Sequence, residues 1–302
     1  MRDYFFGWYF KNQSADRTLA VIPAWHRTGG RTTCSIQIIT DEQAWFADYP
    51  SEKFIRLKGG FGATIGGNYF GPDGLRLDIT KPGLVVTGEL RFGPFTPIRG
   101  DIMGPFRFVP FMQCRHSVIS MRHSVTGRLT VNGDEFIFRD AYGYIEGDRG
   151  SSFPSVYSWT QCLLPGGRSL MLSVADIPFG PFNFTGVIGF VYDGINEYRI
   201  ATYRGAKVVR IRGREIVIRQ KQLTFTARMT GTGGHALKAP VTGAMARTIR
   251  ENASCAAEYI LSGKDGVILS EKSDRASFEY EYPEQETQPP VSGAGSSGNG
   301  KE

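Results

Sequence analysis

The sequence predicts an all-β protein built from two related antiparallel halves. Glycine, phenylalanine and tyrosine are abundant, with 38, 21 and 13 residues in a chain of 302. Such a composition is typical of strands joined by tight turns. Apolar and aromatic runs alternate with turn signals along the chain, and one tryptophan-bearing strand pattern occurs twice. We therefore expect two antiparallel β-barrel or curved-sheet domains with a pocket at their seam.

The turn signals locate the hairpins. Asn132 and Gly133 separate two apolar runs, 126–131 and 135–138, and form the favoured two-residue hairpin turn. Asp193-Gly194 and Asp265-Gly266 mark two further turns between strand-like runs. The one candidate helix lies within 243–261, which is rich in alanine but lacks a clear apolar stripe.

The repeat divides the chain. A strand around Trp8 is followed eleven residues later by the apolar run starting at Leu19, and Trp159 is followed at the same spacing by Leu170. Two units of roughly 140 residues result, the size of a small antiparallel domain. The expected domains are 1–146 and 147–282. The remaining segment, 283–302, is poor in apolar residues and is predicted to be disordered.

Composition limits the classes of function. The net charge is +6, and the densest basic stretch, 207–214, alternates arginine with apolar residues. This stretch predicts a hairpin with one solvated face, or alternatively a peripheral contact with an anionic membrane. It lacks the interleaved aromatics of single-strand binding, so no nucleic-acid partner is expected. The sequence does not indicate an oligomeric state.

Cysteine usage and the first residues suggest a cytoplasmic location. The four cysteines are far apart and form no C-x-x-C pair, which predicts reduced thiols and no zinc site. The aromatic run 4–10 is too short and interrupted for a signal peptide or a membrane span.

One segment, 142–161, concentrates ionisable groups among aromatic residues. Glu146, Asp148 and Arg149 lie between glycines in a predicted loop, which leads into a strand carrying Trp159 and Gln161. Burial and neighbouring charges can tune such groups for acid–base work. The alternative is an ordinary polar turn. The position at the seam between the halves favours a site, because pockets concentrate there.

The motifs resemble those of the tocopherol cyclase family. The pattern Tyr144-x-Glu146-x-x-x-Gly150-x-x-Phe-Pro, followed by Trp159-x-Gln161-Cys, is similar to that family's central motif. The segments 5–11, 237–240 and 266–279 are similar to further family segments in the same order. In plant members Asn-Trp stands where this chain has Asp148-Arg149. The resemblance implies two lipocalin-like β-domains and closure of a prenylated hydroquinone to a chromanol without a cofactor.

That reaction assigns expected roles. Glu146 matches the motif and is the candidate acid, with Asp148 as a second candidate that could instead pair with Arg149; these three are the catalytic candidates. A protonated carboxyl and aromatic faces suit the protonation of an alkene and the resulting cation. The predicted substrate-contacting residues are Trp8, Lys11, Tyr144, Tyr157, Trp159 and Gln161. Strand alternation from Trp8 places Lys11 on the opposite face, which weakens its case.

The histidines are candidate bases. His116 or His123 could receive the phenol proton, and the alternative for each is a structural role. Their spacing matches no metal motif, and the glycine runs do not form a nucleotide loop, so neither metal nor cofactor is expected. The expected partner is a hydrophobic small molecule. Two alternative functions are a lipocalin-like carrier of a prenyl quinone or lipid, and a hydratase in which water captures the cation.

Overall fold

The computed structural model describes residues 2–110, 112–179, 182–231, 235–241 and 244–283. This part of the chain forms two large antiparallel sheets joined by turns, short 3₁₀ segments and one long connection. The predicted all-β class is therefore confirmed. In the described residues no helix is long and apolar enough to cross a membrane. The predicted disordered tail lies outside the described residues, apart from Pro283.

The first sheet contains eleven strands in the order β4-β3-β2-β1-β11-β10-β9-β8-β7-β6-β5. Their bounds are β1 Tyr4–Gln13, β2 Thr18–Thr28, β3 Arg31–Thr40, β4 Ala44–Pro50, β5 Phe54–Arg56, β6 Ala63–Ile65, β7 Asn68–Gly71, β8 Gly74–Lys81, β9 Leu84–Phe92, β10 Cys114–Val131 and β11 Asp134–Gly150.

The second sheet contains ten strands in the described ranges. Nine follow the order β15-β14-β13-β12-β21-β20-β18-β17-β16, and β19 pairs with β20. Their bounds are β12 Tyr157–Leu163, β13 Ser169–Phe179, β14 Phe182–Tyr192, β15 Glu197–Ala201, β16 Lys207–Arg212, β17 Glu215–Gln220, β18 Leu223–Met229, β19 His235–Val241, β20 Ala244–Gly263 and β21 Gly266–Tyr280.

The two sheets repeat one topology. In each, the first strand lies between the second strand and the last, so β1 corresponds to β12, β2 to β13 and β11 to β21. Trp8 and Trp159 lie on the corresponding first strands, as the sequence repeat predicts. The expectation of two related antiparallel halves is confirmed, and the division into domains at residue 147 stays a prediction. The sheets themselves end and begin at Gly150 and Tyr157.

Buried apolar residues form three clusters. One fills the first sheet's concave side around Phe10, Phe70 and Phe136, and a second fills the second sheet around Phe225 and Tyr259. The third joins residues of both sheets, among them Tyr9, Tyr144, Trp159 and Phe190. Because burial of apolar surface is the main favourable term in folding, this third cluster holds the two sheets together.

Several turn predictions are confirmed. Asn132 and Gly133 join β10 to β11 with positive φ angles of 50° and 89°, as a type I′ turn requires. Asp193-Gly194 lies between β14 and β15, and Gly266 opens β21. The basic stretch 207–214 forms part of the β16–β17 hairpin.

Two local predictions are wrong. The segment holding Glu146 and Asp148 is not a loop but the end of β11, which pairs with β1 on one side and β10 on the other. The candidate helix within 243–261 is strand β20. Ala253 and Ala257 are buried there between neighbouring strands, where small side chains permit close packing.

Candidate functional site

Strand geometry brings three polar side chains to one face of β11. Side chains two residues apart point the same way, so Tyr144, Glu146 and Asp148 share the face that looks toward the second sheet. The register between β10 and β11 places His116 directly opposite Asp148. Val118 lies opposite Glu146 and is also buried. Two neighbouring strands thus bring three ionisable groups together in apolar surroundings.

His116 lies between the two carboxylates. Its Nδ1 is 2.9 Å from Oδ1 of Asp148 in a hydrogen bond, and its Nε2 is 3.1 Å from Oε2 of Glu146. The contact between Nε2 and Oε2 is short enough for an ion pair. Its angles do not make a hydrogen bond, and Nε2 has no other acceptor among the described residues. The side chains of His116 and Glu146 are only 9% and 6% exposed, whereas that of Asp148 is 23% exposed.

These neighbours hold His116 in its charged form. Burial by itself lowers the pKa of an imidazole, but the charges of Glu146 and Asp148, with the hydrogen bond to Asp148, raise the pKa of His116 well above its usual value of 6.5. At neutral pH the residue is therefore an imidazolium. One N–H is fixed by Asp148, and the other lies beside Glu146 without an aligned acceptor in the described structure.

Glu146 receives two neutral donors on the same oxygen. The Tyr144 hydroxyl donates to Oε2 over 2.6 Å and the Trp159 indole N–H over 3.3 Å. Burial raises the pKa of Tyr144 well above 10.0, and the charge of Glu146 adds to this effect, so the phenol remains a donor. The triad of His116, Glu146 and Asp148 is thus anchored to both sheets, since Trp159 comes from β12.

An apolar cavity of about 170 Å³ borders the triad. Aromatic side chains of both sheets surround it, among them Trp8, Tyr9, Phe153, Tyr157 and Trp159. The indole of Trp159 meets the Tyr9 ring edge-on at 5.4 Å. Glu146, Asp148 and His116 are among the few polar groups on the cavity wall. Such a combination of apolar walls and converging polar groups is characteristic of small-molecule sites.

The connection 93–113 covers this cavity. It contributes Met103, Phe106 and Met112 to the wall. Arg199 of β15 fixes the connection by donating to the carbonyls of Arg99 and Asp101, over 2.8 and 3.0 Å. The guanidinium is in turn paired with Glu197 at 2.7 Å. A segment of the first half is therefore held over the cavity by the second sheet.

The structure brings most of the predicted site residues together. Trp8, Tyr157 and Trp159 line the cavity with Glu146, Asp148 and His116. Tyr144 contacts Glu146 directly.

Four other predicted residues lie elsewhere. Lys11 is fully buried and donates to the carbonyl of Arg275, on the face opposite Trp8 as alternation predicts. Gln161 is also fully buried outside the cavity wall. Arg149 points away from Asp148, because neighbouring residues of a strand face opposite sides. His123 packs against the rings of Phe92 and Phe95, and burial lowers its pKa to about 3.

Sequence reasoning missed several polar residues of the cavity wall, namely Glu279, His26, Gln37 and Ser173. Glu279 on β21 is 8% exposed and accepts a hydrogen bond from the Tyr157 hydroxyl, as Glu146 does from Tyr144. The only sequence signal is that 276–280 loosely resembles 141–145, since both begin with alanine and contain aromatic residues near the end of their half of the chain. His26 on β2 bonds Ser35 over 2.9 Å, and burial lowers its pKa to about 4. No sequence motif points to His26.

The triad also has the composition of a metal site. His116, Glu146 and Asp148 offer one nitrogen and two oxygen ligand atoms within 4.8 Å of one another. The donor pattern favours a hydrogen-bonded triad instead. Tyr144 and Trp159 both donate to Oε2 of Glu146, and both nitrogens of His116 already face carboxylates. A metal ion bound through Nδ1 of His116 would replace its hydrogen bond to Asp148.

Comparison with known proteins identifies the fold. No family model matches the chain, and neither does any curated protein sequence. Among solved structures, kievitone hydratase from Nectria haematococca superimposes with a TM-score of 0.54 and 11% identity, covering 93% of this chain and 89% of that one. CghA with Sch210972 gives a TM-score of 0.57 and 11% identity over 93% and 89%. An AttH candidate from Nitrosomonas europaea gives 0.50 and 9% over 94% and 93%. At these identities the likeness shows the lipocalin-like fold.

Proposed function

We propose that this chain is an acid–base enzyme that cyclises an apolar, unsaturated small molecule in the cavity between its sheets. The observation that carries the proposal is the triad of His116, Glu146 and Asp148 on the wall of a largely apolar cavity. Burial of the ionisable groups of His116 and Glu146 costs free energy unless they are paired. Their position beside an apolar cavity is what a catalytic role would require.

The imidazolium of His116 is the proposed proton donor. Asp148 fixes its Nδ1–H, and the Nε2–H lies 3.1 Å from Oε2 of Glu146 without hydrogen-bond alignment. Oε2 of Glu146 accepts from Tyr144 and Trp159, which is the role of a carboxylate. The sequence-based assignment made Glu146 the acid. In the proposal the two residues act as a pair, in which His116 stores the proton and Glu146 stabilises positive charge in the cavity.

The reaction proposed from the tocopherol cyclase resemblance balances without a cofactor. The triad transfers a proton to the less substituted carbon of a trisubstituted alkene, whose π electrons form the new C–H bond. The tertiary cation that results lies between aromatic faces such as Tyr9 and Trp159, which attract cations. The phenol oxygen forms the new C–O bond and returns its proton to the triad. The product has the mass of the substrate.

The cavity volume restricts the substrate. At about 170 Å³ it is smaller than the usual 300–1,000 Å³ of ligand pockets. It accommodates the part of an isoprenoid that reacts, but not an aromatic ring together with a full-length prenyl chain. We therefore propose a prenylated hydroquinone with a short chain, or a longer one whose tail leaves the cavity.

A hydratase is the second candidate. It is supported by the fold shared with kievitone hydratase and by the position of Glu146, whose carboxylate could orient a water molecule toward a cation. The same first proton transfer would then be followed by capture of water in place of the phenol. The expected product would contain one additional water.

The test compares wild type, Glu146→Gln, and the control Glu135→Gln. Glu135 lies on the same strand but is exposed, so its variant controls for a charge change on β11. Each protein is incubated with geranyl and geranylgeranyl benzoquinol, and products are analysed by mass spectrometry and ultraviolet absorbance. We expect a chromanol of unchanged mass from wild type and Glu135→Gln. We expect a rate at least about 100-fold lower from Glu146→Gln, the usual loss on disturbing an acid–base pair.

The other outcomes separate the alternatives. A product heavier by one water would replace the cyclase with the hydratase. Substrate bound tightly and recovered intact from all three proteins would identify a carrier. Equal rates for wild type and Glu146→Gln would overturn the role of the triad, whatever the product.

A further inference from the structure

A second cavity, of about 300 Å³, borders His116 and Asp148 of the triad and is lined by arginines. Its wall includes Arg56, Arg107, Arg115 and Arg149. They come from three separate regions: β5, the 3₁₀ turn at Gly104–Phe108, and the paired strands β10 and β11. Arg56, Arg107 and Arg149 are exposed and Arg115 is half-buried, so their guanidinium groups face a solvent-open cavity.

Strand alternation places two of the arginines on the opposite face of the first sheet from the triad, although His116 and Asp148 border both cavities. Arg149 follows Asp148 on β11 and Arg115 precedes His116 on β10, so both arginines face the side opposite the triad. Phe6 of β1 is the register partner of Arg149, and Arg149 is the register partner of Arg115. These three side chains form one row across three adjacent strands, on the sheet whose other face carries the triad.

In the described part of the chain, the protein does not neutralise the positive charges of the four arginines with carboxylates. None of the four arginines forms an ion pair among the described residues, and only Arg115 has a polar contact, donating to the carbonyl of Val109 over 3.1 Å. Like charges directly opposite each other on neighbouring strands are destabilising. Arg115 and Arg149 occupy such positions, so an anion between them would relieve the repulsion.

The carboxylates nearby are engaged elsewhere. Asp148 and Asp101 also border the cavity. Asp148 is bonded to His116, and Asp101 accepts from the backbone N–H of Met103 over 2.8 Å. The cavity wall therefore carries four guanidinium groups and two carboxylates, and its net charge is positive.

Aromatic rings complete the wall. Tyr4, Phe6 and Trp8 line the cavity beside the arginines. The rings of Phe6 and Trp8 meet edge-on at 5.9 Å, and the guanidinium of Arg56 lies 5.3 Å above Phe6. A ligand here would meet a flat apolar surface on one side and forked hydrogen-bond donors on the other.

We propose that this arginine cavity binds a small organic anion, a carboxylate or phosphate carried on a flat apolar body. Arginine presents paired N–H donors that match the oxygens of both groups. The aromatic wall selects ligands with an apolar portion over inorganic ions. The ligand is a molecule other than the proposed cyclase substrate, and its anionic group is held by the arginines next to His116 and Asp148.

The test measures binding of three matched probes by titration calorimetry. These are 2-naphthoate, 2-naphthyl phosphate and the neutral 2-naphthylmethanol. The proteins are wild type, Arg115→Gln/Arg149→Gln, and the control Arg139→Gln/Arg204→Gln, which removes the same charge from two exposed positions. We expect at least one anion to bind wild type and the control about tenfold or more tighter than the alcohol. We expect this preference to disappear in Arg115→Gln/Arg149→Gln.

Thermal unfolding shows whether the variant is intact. Because it removes a like-charge pair, its midpoint without ligand should not fall below that of the control. The preferred anion should raise the midpoint of wild type only. Equal binding of anions and alcohol, or an unchanged preference in the Arg115→Gln/Arg149→Gln variant, would overturn the proposal. Binding of phosphatidylglycerol vesicles without binding of any naphthyl anion would also overturn it, in favour of a membrane contact.

Discussion

At the scale of single residues, the charge of His116 determines what the triad can do. Its pKa in the folded protein is raised well above 6.5, although burial opposes this, because Glu146 and Asp148 stabilise the imidazolium. A group whose folded pKa exceeds its unfolded pKa stabilises the fold fully below the unfolded value. That contribution is lost as the pH rises through the folded pKa. The triad therefore stabilises the protein at neutral pH and ceases to do so in alkaline solution.

This linkage predicts the behaviour of His116→Gln. In wild type, both turnover and the free energy of unfolding should decline as the pH rises through the raised pKa of His116. The variant should lose about 100-fold or more in turnover and should lack that alkaline decline in stability. Urea unfolding measured over a pH series, alongside initial rates, checks both effects.

His123→Gln is the matched control. Burial lowers the pKa of His123 to about 3, so its contribution is present above pH 6.5 and is lost as the pH falls toward 3. Its variant should keep the alkaline decline of wild type. An identical alkaline decline in wild type and His116→Gln would contradict the assigned charge of His116.

At the scale of elements, β11 shows why a strand can be mistaken for a loop. Gly143, Gly147 and Gly150 suggest turns in the sequence, yet none has a positive φ. They are needed for close approach instead. A Cβ at Gly147 would lie 2.8 Å from Cδ1 of Trp8, and one at Gly150 would lie 2.1 Å from the carbonyl oxygen of Gln113. Such contacts depend on neighbouring strands, so local sequence cannot distinguish this use of glycine from a turn.

The same limit applies to the candidate site. The family motif groups Tyr144 with Glu146, but the predicted loop gives no reason for Tyr144, Glu146 and Asp148 to share one face of a strand. His116 could be proposed only as one of two histidines, since its place depends on a register that shifts along β10, between Val118 and Ser120 and again before His123. Such bulges move a side chain without leaving a clear sequence signal.

The connection 93–113 yields a prediction at this scale. Arg199 holds it with donors to two carbonyls and to the Tyr203 hydroxyl. Lysine cannot reproduce this planar fork, so Arg199→Lys should loosen the connection and weaken substrate binding while the sheets remain folded. Trypsin should then cleave after Arg99 or Arg107 severalfold faster, as followed by mass spectrometry.

Arg204→Lys provides the comparison, because Arg204 is exposed on the short 3₁₀ turn that follows β15. Trypsin should cleave the Arg204→Lys variant at the wild-type rate. If Arg199→Lys resists trypsin as well as wild type does, the connection is held by its apolar contacts rather than by Arg199.

At the scale of the whole molecule, the two sheets are joined by polar contacts as well as by the third apolar cluster. The hydroxyls of Tyr9 and Ser277 lie 3.0 Å apart, and Arg122 donates to the carbonyl of Leu164 over 3.0 Å. These partners are separated in sequence by 268 and 42 residues. No sequence pattern identifies such pairs. The sequence repeat predicts that two sheets exist, whereas their docking depends on side chains that only the folded chain brings together.

The sequence predicts that Lys11 contacts the substrate, but the structure places it between the two sheets, and this difference can be tested. Its Nζ donates over 2.7 Å to the carbonyl of Arg275 in the other sheet, and the side chain is fully buried. Lys11→Met keeps most of the side-chain volume but removes this bond. We expect the free energy of unfolding to fall by about 1–3 kcal/mol, the cost of leaving a buried polar group unpaired. Turnover at saturating substrate should be unchanged, because Lys11 does not line the cavity.

Calorimetry and urea unfolding measure this loss, with the exposed Lys207→Met as control. Because the third cluster couples the sheets, the variant should still unfold in one transition at a lower midpoint. Two separated transitions would show that the sheets unfold independently once this bond is removed. Unchanged stability with reduced turnover would instead support the sequence-based prediction that Lys11 contacts the substrate. A residue that only joins the sheets would not change the chemical step without changing stability.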